Sequence, residues 1–137
     1  MEQRDTIEKQ IEQLSSFLKS LLSKALGCSN IETTEEISNA IQTTFNFDFI
    51  AVSEFDDNQM VAFINENSLT ESHLEHLAEL AYILGKNHQD SDSKLAITYF
   101  TISNKFSKKA DAISGNFSLE RNQKQNKINN LIHKQLD

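Results

Sequence analysis

An all-α fold, a bundle of five or six helices, is what this 137-residue chain predicts, and three observations carry the prediction. No proline occurs, so nothing breaks a helix interior. The only glycines, Gly27, Gly85 and Gly115, each stand just past a run of apolar residues spaced three and four apart, where a left-handed residue ends a helix. Six segments carry apolar residues at helical spacing. Only the stretch 47–54 alternates like a strand, and it has no second strand to pair with. Helix over about three quarters of the chain, and no sheet of three or more strands, is the expectation.

The first helix occupies 2–26. Its Ile7, Ile11, Leu14, Leu18, Leu21 and Ala25 form a heptad stripe, which Phe17 and Leu22 widen to the face of a bundle helix. Asp5 and Lys9 add a pair four residues apart, and Gly27 closes the helix. A second helix begins at Thr33 with Glu36 as its capping-box partner, and Ile37, Ala40, Ile41 and Phe45 mark its buried side. Phe47, Phe49, Ile50 and Val52 then form a tight turn or a single helical turn that plugs the core. Asp56 caps a third helix, 57–65, with Gln59 as box partner and Phe55 and Met60 as a hydrophobic staple.

Thr70 caps the fourth helix, Leu69 and Leu74 staple it, and Gly85 ends it before a loop at 86–90. Leu74, Leu77, Ala78, Ala81 and Leu84 share one face, yet Leu80, Tyr82 and Ile83 point elsewhere. The fifth helix, 93–113, has its stripe in Leu95, Ala96, Tyr99, Ile102, Phe106 and Ala110, with Ile97 and Phe100 off it. Gly115 ends that helix and Ser118 caps a sixth, about 119–136. The centre of the sixth is rich in Asn, Gln and Lys, leaving Leu119, Ile128, Leu131 and Ile132 as anchors, so it is expected to be the least stable element.

This length suits one domain, 1–137: an amphipathic first helix (1–27), short acidic helices (28–68), a helical hairpin (69–114) and a polar, basic C-terminal helix (115–137). The net charge of −7 is unevenly spread. Residues 1–27 hold four bases and four acids, residues 28–85 eleven acids and no Lys or Arg, and residues 86–137 nine bases and five acids. Laying the basic C-terminal helices against the acidic middle relieves its self-repulsion. The bases lack any nucleic-acid recognition motif, so no such partner is expected. Cys28 is the only cysteine, and no apolar run follows the charged start to act as a signal peptide, so a cytoplasmic location is the expectation. No stretch approaches the roughly 18 apolar residues of a membrane span.

The hairpin resembles a tetratricopeptide-type unit: Ala81 in its first helix, and Ala96 followed by Phe100 in its second, are similar to that family's small and large positions. The closing proline of that pattern is missing. The layout as a whole also resembles a group of small bacterial all-helical proteins whose last helix opens on Phe-Ser-x-Glu-Arg, here Phe117, Ser118, Leu119, Glu120 and Arg121. The resemblance implies the fold and carries no activity.

Among groups with chemistry, His73 and His76 lie three apart on a helix with Glu79 three further on, a partial metal-ligand set for which no further ligand is visible. Both fall off the main apolar stripe and are expected to be exposed or interfacial. Cys28 follows a helix C-terminus, where the dipole disfavours a thiolate. Glu32, Glu35 and Glu36 lack the alternating ligands of a calcium loop. Phe47, Phe49, Phe55, Phe63 and Phe100 are core residues or the lining of an apolar pocket.

The expectation is a non-catalytic protein-interaction or oligomerisation module with no cofactor, whose partner is another protein or a second copy in a homodimer. Leu14, Leu18, Leu21, Leu80, Ile83, Ile97 and Phe100 are the interface candidates, since they exceed what one hairpin face buries. The alternatives are a small-ligand- or metal-binding bundle, and peripheral membrane association through the first helix.

Overall fold

The computed structural model describes residues 2–27, 31–46, 48–115 and 118–136, and side chains from residue 8 onward apart from that of residue 31. Helix accounts for 89% of them, and no strand occurs among them. Six α-helices form: α1 (Glu2–Gly27), α2 (Ile31–Phe45), α3 (Asp57–Glu66), α4 (Glu71–His88), α5 (Ser93–Ser114) and α6 (Leu119–Leu136). A 3-10 helix at Phe49–Glu54 is the seventh helical segment. The antiparallel hairpin of α4 and α5 is central, with α1 against α4 and α6 against α5. The short α2 and the 3-10 helix close one end over it. Cys28, Phe47 and Phe117 lie outside the described residues, as do the side chains of Asp5 and Ile7.

Local chemistry sets most of the boundaries. Asp56 and Gln59 exchange side-chain to backbone bonds of 2.8 and 2.9 Å as the capping box of α3, while Met60 is buried and Phe55 half-buried beside the core. Thr70 caps α4, with the staple residues Leu69 and Leu74 both buried. Gly115, at φ 69°, ends α5 in the left-handed region, its N–H on Asp111 O. The end of α3 is a Schellman motif without glycine. Ser68 sits at φ 52°, its N–H donates to Asn65 O, and the N–H of Leu69 donates to Ile64 O. The 3-10 helix plugs the core as expected of one helical turn: Asp48 caps it, Phe49 and Val52 are buried, and the Phe49 ring lies 6.2 Å from Phe106. Lys105 of α5 donates from its ammonium to Val52 O, Ser53 O and Phe55 O, satisfying carbonyls at the end of that turn.

Four expectations are corrected. Helix α2 starts at Ile31, before Thr33, and both Thr33 and Thr34 are buried inside it. Gly85 does not end α4, which continues to His88; it is buried mid-helix where a Cβ would stand 2.6 Å from Phe100 Cε1. It serves close helix approach instead. The apolar surplus of the hairpin is not free surface: Leu80 and Phe100 have no exposure and Ile83 is buried, with only Ile97 half-buried. Phe100 lies with Ala96 and Ile128 in a small second cluster beneath α6. Finally, Leu18 and Leu21 are buried and Leu14 is half-buried against the core, so these three α1 residues pack into the bundle where an open seam was expected. Within the described residues, no helix is long and apolar enough to cross a membrane.

Candidate functional site

The charge segregation of the sequence becomes a seam between α4 and α6. Glu71, Glu75 and Glu79 recur every four residues along α4, which lines them up on one side of that helix. Arg121 and Lys124, three apart on α6, face them. The Arg121 guanidinium bonds Glu71 and Glu75 and reaches Asp111 of α5 at 3.0 Å, and Lys124 pairs with Glu79. Burial opposes the charge on Arg121, but Glu71, Glu75 and Asp111 outweigh it and hold the guanidinium more firmly protonated than usual. Burial, and secondarily Lys127, holds the Lys124 ammonium below the ordinary lysine range. That ammonium also stands 4.6 Å from the Tyr82 ring centroid, a cation–π contact.

Beneath the charges the seam is largely polar. The Gln125 amide donates to Ser107 Oγ at 2.9 Å and Asp111 Oδ2 at 3.0 Å, and Asn104 Nδ2 donates to Asn129 Oδ1 at 2.9 Å. Only Ile128 is fully buried among the apolar residues of α6, with Leu131 and Ile132 packed beside it. A cleft of about 360 Å³, lined in part by His76, Ser103 and Arg121, remains between α6 and the hairpin. Elsewhere the same complementarity recurs: Lys109 of α5 pairs with Asp57 of α3, and Lys24 of α1 with Glu36 of α2.

The histidines divide. His73 is fully buried, against the expectation of exposure. Its Nδ1 accepts from the Thr70 N–H at 3.0 Å, completing the α4 capping box, which leaves Nε2 to donate to Ile11 O of α1 at 3.0 Å. Burial pushes its pKa below 6.5, the Ile11 bond opposes that, and the neighbouring His76 adds to it. With both nitrogens engaged, His73 has no lone pair to offer a metal. Half-buried His76 has Nδ1 2.7 Å from Ser72 O, and Glu79 belongs to the seam. Among the described residues no three His, Cys, Asp or Glu side chains cluster as a metal site.

A second cleft, of about 550 Å³, opens where α2, α4 and α5 meet. Its floor is Tyr99, whose hydroxyl is 3.1 Å from Ser38 Oγ and whose ring stacks with His88 at 5.9 Å and 16°. Burial raises the Tyr99 pKa above 10, partly offset by the Ser38 bond. Sequence reasoning missed this group because ending α4 at Gly85 left His88 in a loop; with the helix continued by one turn, His88 falls beside Tyr99. Comparison with protein-family models, with curated proteins and with solved structures matches this chain to none of them.

Proposed function

We propose that the chain is a non-catalytic protein-interaction module whose hairpin accepts a basic amphipathic helix along the acidic edge of α4, a seat taken within the chain by α6. The observation that carries this reading is the Glu71, Glu75 and Glu79 ladder met by Arg121 and Lys124. A mostly polar helix held by directional charge pairs over a small apolar cluster is bound as an exchangeable ligand would be, whereas a core helix is held by apolar burial. The close approach of Gly85 to Phe100 supports reading α4 and α5 as a tetratricopeptide-like unit, since small-against-large contact is the mark of that hairpin. Homodimerisation belongs to the same reading as exchange of α6 between two copies, for Phe100 is reachable only when α6 leaves.

The test is a labelled peptide of residues 118–136 titrated into the full-length chain. Resident α6 competes with it, so weak binding is expected, strengthened by Arg121→Gln in the chain and weakened by Glu75→Gln with Glu79→Gln. Absence of binding to the Arg121→Gln chain refutes the proposal.

A further inference from the structure

Arg121 and Lys124 sit in the same seam but are held differently, and the difference specifies the helix that the seat accepts. Arg121 bonds through both terminal nitrogens to two helices at once: Nη1 to Asp111 of α5 at 3.0 Å, and Nη2 to Glu71 and Glu75 of α4. Its Nε is buried without a partner among the described residues, so the terminal nitrogens carry every bond. Lys124 meets one carboxylate, that of Glu79. The Arg121 side chain is 12% exposed and that of Lys124 is 36% exposed. Burial opposes both charges, and only at 121 do the carboxylates outweigh it.

Three carboxylates from two helices form a clamp shaped for a planar, two-ended donor, which a guanidinium is. A lysine at 121 would end one bond short, offer a single nitrogen, and shed a tighter hydration shell on burial. The clamp is also completed by α6 itself: Asp111 Oδ2 accepts from the Gln125 amide at 3.0 Å while Oδ1 takes the guanidinium. Arg121, Lys124, Gln125 and the buried Ile128 stand at i, i+3, i+4 and i+7, a single face of α6.

Resting on the reading of α6 as an exchangeable ligand, we propose that the seat is arginine-selective. A partner helix that replaces α6 presents an arginine at the place of Arg121, a glutamine four residues on and an aliphatic residue seven on. Position 124, which meets one carboxylate, takes either base.

The experiment titrates labelled peptides of residues 118–136 into the full-length Arg121→Gln chain, whose own α6 is weakened. The natural peptide and its Lys124→Arg form should bind alike. The Arg121→Lys peptide should bind about tenfold more weakly. So should a peptide with ω-N,N-dimethylarginine at 121, which keeps the charge and loses the donors of one terminal nitrogen. Independently of any added peptide, Arg121→Lys in the chain should speed hydrogen exchange of the α6 amides about tenfold. Failure of the natural peptide to bind overturns both the exchangeable-helix reading and the selectivity drawn from it. Equal binding of the arginine and lysine peptides leaves the seat standing and overturns arginine selectivity alone, as does α6 exchange unchanged by Arg121→Lys.

Discussion

Replacing Gly85 by alanine sets two opposed effects against one another at a single atom. Alanine is favoured over glycine inside a helix by about 1 kcal/mol, and Gly85 lies within α4, so an unobstructed site would be stabilised. The added Cβ, however, would stand 2.6 Å from Phe100 Cε1, 2.7 Å from Cδ1 and 3.2 Å from Cζ. Carbon atoms rest at roughly 3.5–4.0 Å, so ring and helix must separate by about 1 Å. Phe100 has no exposure and is enclosed by Ala96 and Ile128, which leaves it nowhere to retreat. Overpacking of this kind costs about 1–3 kcal/mol. Against the propensity gain, the net expectation is a loss of up to about 2 kcal/mol, or up to roughly 7 °C in Tm for a chain of this length. The decisive assay is a double-mutant cycle by thermal unfolding. In a Phe100→Leu background the obstruction shrinks and Gly85→Ala should become neutral or stabilising. A rise in Tm from Gly85→Ala with Phe100 intact would refute the reasoning.

Two further perturbations test the contacts that join distant segments. Burial lowers the His73 pKa below 6.5, so the unfolded chain takes up a proton that the folded chain resists. Stability is therefore full above pH 6.5 and declines as pH falls beneath it, and thermal midpoints across pH 7.5 to 5 should show a steeper decline for the natural chain than for His73→Gln. Equal slopes would remove His73 from the account. Lys105→Met withdraws the donor shared by three carbonyls, and hydrogen exchange should show the 3-10 helix opening more readily, with a global cost of about 1–3 kcal/mol.

Periodicity and caps were legible wherever the signal lies within a few residues of chain. Asp56 with Gln59, Thr70, Gly115 and the span of α6 could all be read locally, because each cap satisfies backbone groups of its own helix. The seam was legible in outline, since segments with net charges of −11 and +4 attract wherever the fold lets them meet. The roles of Gly85 and His73 were hidden for a shared reason: each is decided by a partner on another helix. A glycine at a helix end and a glycine under an aromatic ring look alike in one dimension, and so do an exposed histidine and one whose ring reaches a carbonyl 62 positions earlier. The burial of Phe100 was hidden likewise, because it takes Ile128 of α6 to cover a ring that the hairpin alone would expose, and Leu80 is buried instead in the main core.

The corner at Ser68 shows that this fold does not stand at its ceiling of stability. A side chain in the left-handed region costs roughly 1–2 kcal/mol relative to ordinary helical backbone, and the motif around Ser68 is complete without one, since both of its bonds come from main-chain N–H groups. Ile64 and Leu69 are buried on either side and supply the apolar contact that such corners use. Glycine there would relieve the strain while loosening the unfolded chain by somewhat less. The molecule thus holds a reserve of heat tolerance at an exposed turn, where it can be drawn on without changing a buried side chain.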